Sequence, residues 1–227
     1  MNLSIKPKVP YRKTLAPSTF YNVKCPRCLW LDYWHGLKMP TNLSLQSTLS
    51  RFQEKTFDGV KSSEISNKLP VGQVQNYKSK IASTNLSFRG KTTHWKLLGQ
   101  LDLLAFNDDG TVSIIDCKVS LKKDEQSLVD SYWTQLEAYA FMLENPDCGQ
   151  PLEISTIGLL QWRLHGSSGI YSPGFLAESK YIPFKRDREA FQDFIQKFIG
   201  IIEGDIPEWN ASCETCLCIQ KSKTLLG

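Results

Sequence analysis

Residues 99–118 read GQLDLLAFNDDGTVSIIDCK. Two apolar runs, Leu97 to Phe106 and Thr111 to Val119, flank Asn107-Asp108-Asp109-Gly110, a strong turn signal. A loop of Asp108-Asp109-Gly110 makes a three-residue hairpin with Gly110 in the left-handed conformation. Asn107 then faces Thr111, and counting back sets Asp102 opposite Asp116. Side chains alternate along a strand, so Asp116 and Lys118 share a face with Val112 and Ile114. The hairpin is expected to present Asp102, Asp116 and Lys118 together.

Carboxylates directly opposite each other repel. A divalent cation between them removes that penalty, and oxygen donors suit Mg2+ or Mn2+. The backbone carbonyl of Cys117 points to the same spot and is a candidate third ligand. Lys118 stands where it would orient an attacking water and offset charge building on a phosphate. Asp116-Cys117-Lys118 alone is a weak signal, because an exposed strand with one ion pair reads the same way. Its pairing with Asp102 on one hairpin is the informative part.

Ser127 to Glu144 follows as a helical pattern, with Leu128, Tyr132, Leu136, Tyr139 or Ala140, and Leu143 on one stripe. Gln135 and Tyr139 are four apart and lie on one side of the helix. Alone, they would read as a surface glutamine and a core tyrosine. In order, an acid on one strand, Asp-x-Lys on the next and Gln-x-x-x-Tyr on the following helix resemble the RecB-like branch of the PD-(D/E)XK nuclease superfamily. The resemblance implies an α/β fold, a mixed sheet flanked by helices around a restriction-endonuclease-like core. It implies catalytic roles for Asp102, Asp116, Lys118, Gln135 and Tyr139, with metal held by Asp102, Asp116 and Cys117. Gln135 would orient Lys118 or the scissile phosphate, and Tyr139 would contact DNA or brace the site. The implied reaction is phosphodiester hydrolysis in DNA, directed to ends or single strands, with RNA still open as a substrate. RecB-like nucleases also place an acid or histidine ligand on a helix before the hairpin. Glu54 is a candidate for it, although a surface glutamate on an amphipathic helix is the plainer reading.

Seven cysteines include two C-x-x-C pairs at opposite ends of the chain, Cys25/Cys28 and Cys213/Cys216. Each pair can bring two thiolates to one metal centre. The four would staple the N-terminal helix to the C-terminal tail, making ligand-binding energy into folding energy. RecB-like nucleases of the helicase-nuclease and CRISPR-associated families, to which the placement is similar, use a [4Fe-4S] cluster on one N-terminal and three C-terminal cysteines. This chain departs from that pattern. Cys28 adds a second N-terminal thiol, and Cys218 follows Cys216 too closely. The two-plus-two set suits Zn2+ as well, with Cys218 a spare or substitute ligand for a cluster. Cys117 and Cys148 are expected to be buried thiols.

The chain has 227 residues, 41% hydrophobic and 22% charged, with a net charge of +4. That suits one substantial core and tolerates a phosphate-backbone partner without requiring it. No apolar run is long enough to span a bilayer and the basic N-terminus lacks an apolar signal core, so a cytoplasmic location is expected. Residues 1–17 read as an extended arm and 18–227 as one nuclease domain, in which 18–60 and 205–220 form a cysteine-stapled lobe. Leu29, Trp30, Tyr33, Trp34 and Leu37 form the face of a helix opened by Pro26 and ended by Gly36. A second helix spans Leu45 to Phe57, with Leu45, Leu49, Phe52 and Phe57 inward. Residues 61–93 read as irregular connection with one or two short strands, such as Gln73 to Tyr77. Their Lys78, Lys80, Arg89 and Lys91 suit either a nucleic-acid channel or a solvated loop, and His94 is assigned no role. A third strand covers Glu153 to Leu164, parallel to its predecessor through a βαβ crossover. A turn at Gly166 to Gly169, a strand from Phe175 to Phe184 and a helix from Lys185 to Gly204 complete the pattern. That helix is capped by Asp187 and buries Phe191, Phe194, Ile195, Phe198, Ile201 and Ile202.

The leading function is a metal-dependent nuclease, with protein partners of a repair, recombination or defence complex compatible with it. The alternatives are a nucleic-acid-binding or assembly module that keeps the fold without catalysis, and a sensor controlled by the thiol-bound metal.

Overall fold

The turn at residues 107–111 closes as its chemistry dictates. Asn107 N–H donates to Thr111 O, Gly110 N–H donates to Asn107 O, and Gly110 has φ +86°. The computed structural model describes residues 5–37, 44–120, 124–167 and 174–226.

Five strands form the main sheet: β1 (Gly72–Asn76), β6 (Leu103–Asn107), β7 (Val112–Ser120), β8 (Ile154–Ser167) and β9 (Gly174–Phe184), in the order β1-β6-β7-β8-β9. Only β7 and β8 are parallel, linked through α4 (Glu125–Glu144). This is the expected crossover, since a parallel neighbour needs a long connection. Two small antiparallel pairs lie apart: β2 (Lys80–Ala82) with β5 (Leu98–Gln100), and β3 (Ser87–Phe88) with β4 (Lys91–Thr92). Residues 61–93 are thus richer in structure than their polar sequence suggests. They carry β1 to β4 and the short helix α3 (Ser62–Ile65).

Each face of the sheet buries its own apolar cluster. On one face Val112, Ile114, Leu159 and Ile182 meet α1 (Pro26–His35), α4 and α5 (Arg188–Glu203) around Trp30, Tyr33, Trp95 and Phe198. On the other, Leu103, Ala105, Ile115, Cys117 and Leu160 pack with Phe57 and Ile65. These two lists reproduce the period of two along β6, β7 and β8. Truncating one of the fully buried aromatics would cost about 3–5 kcal/mol.

Gly36 ends α1 at φ +67° and Asp187 caps α5 through its carboxylate, as expected; α4 begins at Glu125 rather than Ser127, because Asp124, not singled out from the sequence, caps it. Leu15, within the predicted arm, is fully buried and pairs with Leu97.

Several expectations are corrected. The Leu97 to Phe106 run is two strands, because β5 pairs with β2 and the chain re-enters the main sheet only at Leu103. In α2 (Ser44–Thr56), Phe52 is 64% exposed and Gln53 is fully buried in its place. Gln53 Nε2 donates to Leu160 O across the sheet at 2.5 Å. Leu37 is exposed beyond the Gly36 cap. In α5 the buried set includes Ile199, while Phe194 and Ile201 are only partly covered. Gly166 and Ser167 continue β8 opposite Phe175 and Gly174 rather than turning. Ser168 and Gly169, like the side chain of Leu45, lie outside the described residues. Cys117 is buried as expected, but Cys148 is exposed, in the loop after α4. No described helix is long and apolar enough to cross a membrane.

Candidate active site and metal centre

The break between β5 and β6 creates the site. The last residue pair of β6 with β7 is Leu103 with Ile115. Beyond it, β7 runs on beside β8 to Ser120 without β6. The open edge is met by Asp102, whose Oδ2 accepts the Cys117 N–H at 2.8 Å. The carboxylate therefore takes the place of the missing strand partner; Asp102 lies on the bend just before β6 rather than paired on the strand as the hairpin count expects, yet it stays within electrostatic reach of Asp116. A strand residue directs its N–H and C=O to the same side, so the Cys117 carbonyl faces this edge too.

Asp116 and Lys118 lie on the α4 face. Asp116 is 2% exposed and its Oδ2 is 2.6 Å from Lys118 Nζ. Gln135 Nε2 reaches Asp116 Oδ1 at 3.4 Å and donates to the Tyr139 hydroxyl at 2.9 Å. All five predicted catalytic residues are therefore joined by direct contacts or through Cys117. Gly99, which opens the quoted stretch, lets this happen. A Cβ there would lie 3.1 Å from Tyr139 Cε1 and 3.2 Å from Met142 Cε, so α4 packs against bare backbone.

The electrostatics are those of a site short of positive charge. Burial, then the neighbouring Asp116 carboxylate, push Asp102 up to about 7, against the opposing pull of Lys118 and the Cys117 N–H. Glu54 adds to that push and is itself raised by burial and by Asp116, while Lys78, Asn76 and Arg51 act against the rise. The side chain taken more plainly as a surface glutamate is half-buried and within electrostatic reach of both aspartates. Burial opposes the charge on Lys118, but Asp116 and Asp102 outweigh it and raise its proton affinity. Burial and Asp116 likewise raise Tyr139. Three acids around one lysine, two of them with ionisation suppressed, make a donor set that fits a divalent cation.

One neighbour was not singled out from the sequence. Lys118 Nζ sits 5.0 Å from the ring centroid of Tyr132, a cation–π contact one turn before Gln135. Tyr132 and Gln135 also line a cavity of about 210 Å³ with Ser131, Thr134, Pro17 and Phe20. The pattern of α4 placed Tyr132 on the apolar stripe, and only the fold brings Lys118 over it.

The second centre lies where the chain ends meet. Cys25 precedes α1 and Cys28 sits in its first turn; Cys213 precedes α6 (Glu214–Leu226) and Cys216 sits in its first turn. The four sulfurs lie within 4.8 Å of one another. Sγ–Sγ separations are 3.5 Å for Cys25–Cys216 and Cys28–Cys216, and 3.6 Å for Cys28–Cys213. Burial pushes Cys25 up to about 11 and raises Cys28 further. Burial acts the same way on Cys213, but the Cys216 N–H and neighbouring thiols bring it down to about 7. Such a group of thiols fits a metal, which would replace the protons. Cys218 is exposed on α6 and outside the four.

Among solved structures, the crystal structure of SSO0001 is similar in fold, with a TM-score of 0.53 and 14% sequence identity over 95% of this chain and 86% of that one. No curated protein matches the chain. Residues 25–220, which enclose both centres, match the PD-(D/E)XK nuclease superfamily, and the chain belongs to it.

Proposed function

We propose that the protein is a metal-dependent nuclease of the RecB-like branch that hydrolyses DNA phosphodiester bonds, with a preference for ends or single strands. The observation that carries this reading is the convergence of Asp102, Asp116 and Lys118 at the open edge of β7, braced by Gln135 and Tyr139. Asp102 and Asp116, with the Cys117 carbonyl, would hold Mg2+ or Mn2+, and Glu54 is a further acid at the same place. When bound, the cation supplies Lewis acidity and neutralises charge on the phosphate.

The chain's own groups then divide the work. Lys118, whose proton affinity is raised by its carboxylate neighbours, would position or activate the attacking water and offset charge on the phosphate. Gln135 contacts Asp116 at one oxygen while Lys118 pairs with the other, which favours one orientation of the carboxylate. Tyr139 stays a neutral phenol and anchors Gln135 from below. The four cysteines bind a metal centre that fastens the C-terminal tail to α1.

The test is a cleavage assay on end-labelled single- and double-stranded DNA with Mg2+, Mn2+ or EDTA, using wild type and Asp116→Ala purified without oxygen. Metal-dependent cutting is expected in the wild type and none in the variant. Equal cutting by a folded Asp116→Ala protein would refute the site assignment. No cutting by the wild type under any condition would refute the nuclease.

A further inference from the structure

The geometry points to a single tetrahedral zinc ion, and not an iron–sulfur cluster, on Cys25, Cys28, Cys213 and Cys216. The RecB-like resemblance implies a [4Fe-4S] cluster at this place, and the residues present do not fit one. The first argument is spacing. Four thiolates on one ion at about 2.3 Å occupy a tetrahedron whose edges are about 3.8 Å. Three of the six sulfur separations, at 3.5, 3.5 and 3.6 Å, lie close to that figure, and all four sulfurs lie inside 4.8 Å. In a four-iron cluster each thiolate binds a different iron. Its sulfurs are then separated by two iron–sulfur bonds and the width of the iron core, a much larger figure.

The second argument is that the thiols do not set this spacing alone. Arg27, between Cys25 and Cys28, donates through Nη1 to Pro207 O at 2.6 Å, and its guanidinium lies 3.9 Å from the Trp209 ring centroid. Trp30 Nε1 donates to Gly204 O at 3.0 Å. These contacts pin the chain leading to Cys213 against α1. Moving the two pairs apart to admit a cluster would break the contacts that hold Arg27 buried, 6% exposed. The third argument is the donor set. Two C-x-x-C pairs, each starting a helix, complete a closed four-sulfur site of the structural zinc type. Cys218 is exposed and lies outside the set of four.

The inference does not depend on catalysis and is tested by composition. The full chain is expressed in iron-supplemented medium and purified without oxygen, giving a cluster every chance to form. Zinc, iron and acid-labile sulfide are measured per chain, and X-ray absorption at the zinc edge gives the ligands. The expected result is one zinc per chain, four sulfurs at about 2.3 Å, and neither iron nor sulfide. Under competition by a fixed chelator, Cys28→Ser is expected to lose zinc at least about tenfold more readily, and Cys218→Ser to be unchanged. Iron with acid-labile sulfide, a single iron without sulfide, or a centre lost in Cys218→Ser but kept in Cys28→Ser would each overturn the assignment. If the chain is a nuclease with a cluster, only this inference falls. If it holds zinc and cuts nothing, only the nuclease reading falls.

Discussion

Asp102→Asn should make the metal-free protein more stable at pH 8, although it removes a proposed metal ligand. Asp102 is ionised at a cost, because burial and Asp116 raise it from an ordinary 3.8 to about 7. Folded protein therefore binds more protons than unfolded protein between about pH 4 and pH 7. Stability must fall as pH rises through that window and level off above it. The full shift corresponds to about 4 kcal/mol, a ceiling. Solvent access to the open edge and relaxation reduce the expected loss to about 2 kcal/mol. Asparagine keeps an oxygen to accept the Cys117 N–H, so the open edge stays capped. Urea unfolding in EDTA across pH 4 to 8.5 is the assay. The variant should match wild type near pH 4 and exceed it by about 2 kcal/mol at pH 8. Adding Mg2+ should close the gap, since a ligand at a hundred times its Kd stabilises the folded state by about 2.7 kcal/mol. A variant no more stable than wild type at pH 8, or with an equal advantage at pH 4 and 8, would refute the reasoning.

Glu137, 1% exposed, accepts from Arg186 Nε at 2.9 Å and from the Asp187 N–H at 2.7 Å, tying α4 to the start of α5. Glu137→Ala removes one of the two carboxylates on Arg186 and leaves the Asp187 N–H unpaired, and should cost about 1–3 kcal/mol in chemical unfolding; no measurable loss would mean that Glu144 alone satisfies the arginine. Stripping the cysteine-bound metal should lower the melting temperature and open the tail from residue 205 to protease, and restoring the metal should reverse both; an unchanged digestion pattern would mean the tail is held without it. With metal in place, alkylation under native conditions should label Cys148 and Cys218 and spare Cys117, read by mass spectrometry; rapid labelling of Cys117 would contradict its burial.

Local chemistry in the sequence determined more here than the site's distance from either chain end would suggest. Asn107 to Gly110 closes a tight turn whose length sets the register from Phe106–Val112 to Leu103–Ile115, leaving Asp102 one residue beyond the last pair. The spacing of Gln135 and Tyr139 set them on one side of α4. The caps at Asp124, Asp187 and Gly36 follow from side chains and backbone freedom at single positions. What periodicity could not see were choices made between distant segments. Leu98 to Gln100 are extended like Leu103 to Asn107, and it is pairing with β2 that takes them out of the main sheet. Gln53 looks like a surface residue, yet it is buried because Leu160 O offers an acceptor from across the sheet. Glu54 is carried into the acidic cluster by that same placement of α2. Cys148, apolar enough to be buried, is exposed because the loop after α4 carries it outward. The two C-x-x-C pairs announced a metal, but the separation of sulfurs 185 to 191 residues apart in sequence is set by how the tail docks on α1. Local rules act over one turn or one strand pair, whereas burial and partner choice depend on the whole set of surfaces competing for the same core.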